Sequence, residues 1–173
     1  LSRLNFGVDT NFYPLGSCTM KYNPKLGEEV VRYGGFANLH PLLPQLRRGG
    51  MLTQGALEVI YESERMLSEI CGMAEFTMQP MAGAHGELTG AMLIAAYHKD
   101  KGNKKTKILA PDSAHGTNPA SAAIAGYNVV PIPSDSRGRV DMDAFRKLLD
   151  DEVAAVMLTN PNTLGLFDHN ARE

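Results

Sequence analysis

Three short segments carry residue types suited to holding a flat, phosphorylated ligand. The first is Gln79-Pro80-Met81-Ala82-Gly83-Ala84-His85-Gly86-Glu87. Ala82, Gly83, Ala84 and Gly86 keep side-chain bulk away from the main chain, so backbone N–H groups can approach a ligand closely. A helix opening here would add unpaired donors and a partial positive charge, and the two together make a phosphate cradle. An ordinary tight strand-to-helix turn would use the same residues. The second segment is Pro111-Asp112-Ser113-Ala114-His115-Gly116-Thr117-Asn118-Pro119. His115 could lay its ring against a flat cofactor, and Thr117 or Asn118 could cap a following helix; a structural loop histidine is the plainer reading. The third is Thr159-Asn160-Pro161-Asn162-Thr163-Leu164-Gly165, which offers amides and hydroxyls on a restricted backbone. An Asx-turn that merely ends a strand would need them too.

Sharper chemistries fail on spacing. Asp112, Ser113 and His115 crowd one short loop and lack a Gly-x-Ser-x-Gly elbow, which argues against a hydrolase triad. His85-Gly86-Glu87 has the His-x-Glu of zinc deaminases but no downstream Pro-Cys-x-x-Cys, and Glu87 reads as a first-turn acid of a helix. Neither a dinucleotide fingerprint nor a Walker loop is present, and no His-Glu-x-x-His supports a zinc protease. No metal site is expected.

The elements that must position these segments follow from periodicity. Residues 1–50 are broken by Pro14, Pro24, Pro41 and Pro44 and by frequent glycines, and read as an arm with one short helix near Lys25 to Tyr33. From Met51 onward Leu52, Ala56, Val59, Ile60, Met66, Leu67 and Ile70 recur at helical spacing, and Gly72 supplies a stop. Beyond it the pattern predicts a strand at Phe76 to Gln79, a helix at Gly86 to His98 and a strand at Lys107 to Ala110. A small-residue helix at Pro119 to Ala125, a strand at Tyr127 to Ile132, a helix at Asp141 to Leu149 and a strand at Val153 to Leu158 complete it. Alternating helices and near-continuous apolar strands imply a sheet with parallel pairs and helices on both faces. In such sheets ligands bind beyond the carboxyl ends of the strands, where all three segments fall. The domain reading is therefore an arm at 1–50 and an incomplete cofactor-binding domain at 51–173.

Composition narrows the class. An apolar content of 43% suffices for a core, and the net charge of −2 argues against nucleic-acid binding. The basic run Lys99, Lys101, Lys104, Lys105 and Lys107 reads as a solvated loop. Cys18 and Cys71 are too few for a disulfide framework and suggest reduced, intracellular thiols. No apolar run is long enough to span a membrane. Both ends read as cut.

Longer strings carry a family resemblance. Tyr13-Pro14-Leu15-Gly16-Ser17-Cys18-Thr19-Met20-Lys21-Tyr22-Asn23-Pro24 resembles the opening signature of the glycine cleavage system P-protein family, the glycine dehydrogenases (aminomethyl-transferring). Phe36-Ala37-Asn38-Leu39-His40-Pro41, the segment Gln79 to Leu88, and the runs Asp112 to Ala122 and Leu158 to Phe167 resemble it too. The likeness covers essentially the whole chain, as the front of the catalytic second subunit or of the equivalent C-terminal half.

The resemblance implies the three-layer α/β/α pyridoxal-phosphate transferase fold of type I, here a truncated large domain. It implies pyridoxal phosphate as cofactor, decarboxylation of glycine, and transfer of the aminomethyl group to the lipoyl arm of H-protein. It further implies a P-protein subunit 1 or the chain's own N-terminal half as partner, a homo-oligomer or heterotetramer, and a bacterial cytoplasm, with the mitochondrial matrix as alternative. By position, Ala82, Gly83 and Ala84 match the phosphate-holding segment, with Glu87 nearby. His115 matches the histidine that stacks on the ring, and Thr117 shares its loop. Asn162 matches the residue that meets the ring's phenolic oxygen, with Thr159 and Asn160 beside it. Ser17, Cys18, Thr19, Lys21 and His40 belong to arm segments expected to line the active-site mouth, with Ser17, Thr19, His40 and His115 as catalytic candidates. The family's Schiff-base lysine falls in a His-Lys string beyond Glu173. His98-Lys99 repeats that dipeptide at a helix end and is not expected to replace it, so the 173 residues alone are expected to be inactive. Another decarboxylase or lyase of the same fold, and a non-catalytic interaction fragment, are the competing readings.

Overall fold

The longest described helix shows how the pattern becomes structure. A computed structural model describes residues 4, 7, 10–11, 22–40, 42–43 and 49–173. They fall into two compact units, one of Asn23–Pro80 and one of Met81–Glu173 with residues among Leu1–Tyr22. In the first unit lie α1 (Lys25–Val30), α2 (Gly34–Ala37), α3 (Gly49–Leu52) and α4 (Gln54–Cys71). The apolar period and the Glu62–Arg65 pair, 3.5 Å apart, favour α4. Gly72 ends it at φ 66°, with the Met73 N–H reaching back to the Ser68 carbonyl at 2.9 Å. A left-handed residue closing the last turn is what glycine permits at no steric cost. Phe76 to Gln79, predicted as a strand, pairs with no strand among the described residues. Its residues have β-forming side chains, but the Met78 N–H is taken by the Glu64 carboxylate at 3.0 Å and the Gln79 N–H by Thr77 Oγ1 at 3.2 Å. Side-chain acceptors, one from α4 and one two residues away, stand in place of the ladder.

The second unit carries α5 (Gly83–Asp100), β1 (Lys107–Pro111), α6 (Thr117–Ile124), β2 (Asn128–Ile132), α7 (Met142–Leu148) and β3 (Val153–Val156). The strands form a parallel sheet in the order β2-β1-β3. The register sets Lys107 opposite both Asn128 and Val153, with a shift in β1–β3 pairing after Lys107. Central β1 is the most deeply buried, with Ile108 and Leu109 at 0% exposure. This explains its uninterrupted apolar run, since a strand covered on both faces has no polar side.

Strand parity assigns the layers. Ile108, Val129 and Ala155 pack with Ile94 and Ala95 of α5 and with Ala122 of α6. Successive strand residues face opposite ways, so Ile132 and Val156 turn to the other face, where they line a cavity of about 200 Å³ with Met142 and Phe145 of α7. The expected three-layer α/β/α arrangement is present. Small residues in α6, including Ser121 and Ala122, let it pack closely against α5 and the sheet.

Several predicted boundaries shift. α5 begins at Gly83, three residues before the predicted start, so Glu87 stands in its second turn and not its first. α6 begins at Thr117 with Gly116 as its N-cap, and neither Thr117 nor Asn118 caps it. Pro119 is tolerated because a first-turn N–H has no helical acceptor to lose. Asp141 does cap α7, accepting from the Asp143 and Ala144 N–H groups at 3.0 Å each. At the far end of α5, His98 Nδ1 lies 3.1 Å from the Asn103 amide nitrogen, which can only donate. His98 Nε2 therefore carries the proton and donates to the Ala154 carbonyl of β3 at 3.2 Å. Lys99 sits exposed beside it, roughly 24 Å along the helix from Gly83 at 1.5 Å per residue.

Candidate functional site

The carboxyl ends of β1 and β3 lie on one edge of the sheet, because the strands are parallel. The chain leaves β1 into α6 on one face, and leaves β2 into α7 on the other. Connections that diverge in this way open a crevice at the carboxyl edge.

At that edge the start of α5 brings bare backbone. Ala82 is extended at φ −152°, and no side chain caps the helix. The Gly86 N–H bonds the Ala82 carbonyl at 3.0 Å, so the earlier N–H groups, those of Gly83, Ala84 and His85, have no acceptor within the helix. A Cβ added at Gly83 or Gly86 would meet nothing within 4 Å, so both open to free space. Unpaired donors, helix-end charge and open approach are what a phosphate group requires.

The turn after β1 presents His115 to solvent. Its Nδ1 accepts the Thr117 N–H at 3.3 Å and lies 2.8 Å from Thr117 Oγ1. A backbone N–H can only donate, so Nδ1 is an acceptor and Nε2 bears the hydrogen of the neutral ring. The ring is thus held at one edge, with its Nε2 edge outward. Asp112 has a different duty. It accepts from Ser134 Oγ at 2.5 Å and from the Ser134 N–H at 3.0 Å. The Ser134 hydroxyl is the main reason that its carboxyl lies below the usual carboxylate range, against a partial opposing effect of burial. Asp112 therefore braces the turn after β1 against the chain following β2.

The turn after β3 is built around Asn162. Its Oδ1 accepts the Leu164 and Leu166 N–H groups at 3.0 and 3.1 Å, and its Nδ2 donates to the Gly138 carbonyl at 2.9 Å. Thr163 Oγ1 donates to the Ser113 carbonyl at 2.5 Å, which ties this turn to the one after β1. Between them lies a cavity of about 10 Å³ lined by Ser113, Ala114, Leu158, Thr159, Asn162 and Asp168. That volume holds roughly one water, so a ligand with an aromatic ring would lie over the edge and not within it.

Asn118, which the sequence suggested only as a cap, links all three segments. It is 4% exposed. Its amide nitrogen, oriented by its surroundings, lies 3.2 and 3.3 Å from the two Glu87 carboxylate oxygens. The other end of the amide faces Thr159 Oγ1 at 3.4 Å. No local pattern marks such a residue, since its partners lie 31 and 41 positions away.

The structure thus brings Glu87, Asn118 and Thr159 into contact, sets Thr117 against His115, and joins Thr163 to Ser113. Ala82, Gly83 and Ala84 lie at the same helix end as Glu87. His40 belongs to the other compact unit, where its Nδ1 accepts the Leu42 N–H at 3.1 Å. Ser17 and Thr19, with Cys18 and Lys21, lie outside the described residues. Cys71 is a free, exposed thiol. Among the described residues no group of acidic, histidine or cysteine side chains could hold a metal ion.

Comparison with known proteins places this architecture. A crystal structure of glycine decarboxylase (P-protein) of the glycine cleavage system, in inhibitor-bound form, superposes with a TM-score of 0.61 at 23% identity, over 83% of this chain and 30% of the other. The fold is therefore that of the type I pyridoxal-phosphate enzymes, present here in part. At the sequence level, probable glycine dehydrogenase (decarboxylating) subunit 2 proteins match the whole chain. The one from Alkaliphilus oremlandii is 58% identical over 174 residues, that from Listeria welshimeri 57% and that from Desulforamulus reducens 56%. The chain is similar over its whole length to glycine dehydrogenase (decarboxylating) subunit 2 proteins and spans 35% of the length of these relatives. No family model matches it.

Proposed function

We propose that this chain forms the cofactor-cradling front of a glycine decarboxylase subunit. The observation that carries the proposal is the meeting of two strand-end turns with the uncapped start of α5 at one sheet edge, through Glu87, Asn118 and Thr159. The residues fit pyridoxal phosphate. The first-turn N–H groups around Gly83 and Ala84 would take the phosphate, and Ala82 leaves their approach open. His115, its ring fixed by Thr117, would lie against the flat ring. Thr159 and the second amide hydrogen of Asn162 would stand near the ring's polar substituents, while the other Asn162 bonds hold the turn. Bound pyridoxal phosphate supplies an electron sink for the pair released when glycine loses its carboxylate.

This chain's own part is binding, orientation and exclusion of water. The cradle anchors one end of the cofactor, and the His115 ring covers one face. The aminomethyl group left after decarboxylation would pass to the lipoyl arm of H-protein. The covalent anchor for the cofactor would come from the remainder of the full-length protein, so these residues alone would not turn over glycine. In the same reading residues 1–50 are an arm, with Ser17, Thr19 and His40 as catalytic candidates, and residues 51–173 open the large domain. A P-protein subunit 1 completes the assembly, in a bacterial cytoplasm; among the described residues no helix is long and apolar enough to cross a membrane.

The test is release of carbon dioxide from carboxyl-labelled glycine by the full-length protein with its partner subunit, pyridoxal phosphate and lipoylated H-protein. The expected result is release that needs all four components. Release unaffected by omitting pyridoxal phosphate, or no release with every component present, would overturn the reading.

A further inference from the structure

We infer that Asn118 is a positioning residue for this site: its buried amide holds Glu87 and orients the Thr159 hydroxyl, fixing the start of α5 and the turns after β1 and β3 in one geometry. The inference rests on the cofactor reading above. An amide nitrogen only donates and an amide oxygen only accepts. With its nitrogen facing both Glu87 oxygens at 3.2 and 3.3 Å, Asn118 can satisfy Glu87 in one orientation only. Its oxygen then faces Thr159 Oγ1, 3.4 Å away, which must donate to it. The Thr159 oxygen is left with lone pairs to receive a hydrogen bond from elsewhere. At 4% exposure Asn118 leaves little room for water to substitute for any of these contacts.

The arrangement differs from simple packing because it has a direction. Exchanging the amide and the carboxylate should preserve it. In Asn118→Asp with Glu87→Gln, an amide on α5 donates to a carboxylate on α6, and Thr159 still has an acceptor. In Asn118→Asp alone, two carboxyl groups face each other and either repel or share a proton.

The experiment measures pyridoxal phosphate affinity of the apo full-length protein with its partner subunit, by the cofactor's absorbance. It uses wild type, Asn118→Asp, Glu87→Gln and the double variant. Asn118→Asp is expected to weaken binding about tenfold or more and to shift the bound cofactor's spectrum, as loss of a charge-assisted contact implies. The double variant is expected to bind more tightly than either single variant, a coupling that only a direct pair produces. Equal affinity and spectra in all four proteins would overturn the inference, even if the variants unfold at lower temperature. So would a double variant no better than Asn118→Asp. If Asn118→Asp fails to fold, Thr159→Val reads the same link from its other end. About fivefold weaker binding is expected there, since a neutral hydrogen bond is worth roughly 1 kcal/mol, and unchanged binding overturns the inference. A wild type that binds no cofactor would overturn the functional reading, and this one with it.

Discussion

The turns that follow β1 and β3 both end parallel strands at the same sheet edge, yet they use their polar side chains in opposite ways. After β3, Asn162 spends three bonds on its own turn and on Gly138. After β1, His115 is held at Nδ1 alone and shows the rest of its ring to solvent. One turn builds shape from its polar group, and the other presents its polar group on a shape made by neighbours. A side chain free of structural duty can be tuned for a ligand, whereas one that closes a turn cannot change without moving the backbone.

Removing the polar groups in turn breaks this contrast, and the effects should descend in a definite order. Asn162→Ala loses three hydrogen bonds, the one to Gly138 part-buried, and should destabilise the full-length protein by about 2 kcal/mol in denaturant unfolding. A loss under about 0.5 kcal/mol would mean that the turn closes without it. Gly138→Ala forces a side chain onto a residue at φ +75°, where a Cβ would lie 3.1 Å from Leu166 and 3.3 Å from Leu164. It should cost about 1–2 kcal/mol, and a neutral result would show that both leucines yield freely.

Acid should act on the bracing carboxylates. Ser134 lowers the Asp112 pKa, the Arg139 main-chain N–H that of Asp135, and Lys107 that of Asp150. A carboxylate lowered in the fold stabilises above its unfolded value, and that contribution fades as pH falls through its folded one. Unfolding midpoints should therefore hold from neutrality to about pH 5 and drop below about pH 4. Asp112→Asn should flatten part of that drop, and an unchanged acid limb would remove Asp112 from the account. The smallest effect on stability belongs to His115→Ala, within about 0.5 kcal/mol for an exposed ring, although it should shift the cofactor's absorbance and weaken its retention. A large stability loss with unchanged cofactor binding would make His115 resemble Asn162.

The sequence displayed the elements whose cause is local. The apolar period announced α4, Gly72 its end, and the continuous apolar runs the parallel strands. What it did not display depends on partners far along the chain. Phe76 to Gln79 has strand-forming residues, but side-chain acceptors took its amides. The early start of α5 at Gly83 was hidden because glycine is a poor helix former, so the helix appeared to begin later. The three candidate segments were visible as composition and position. Asn118 was not, because its amide acquires meaning only where α5, α6 and the end of β3 converge.

The Glu87–Asn118 contact and the His98–Ala154 bond sit at opposite ends of α5, about 16 Å apart along its axis at 1.5 Å per residue. A helix clamped at two points behaves as a supported beam. It can neither tilt about its middle nor slide along the sheet without breaking one support. The donors at its first turn are then held in place before any anion arrives, so little ordering remains to be done on binding.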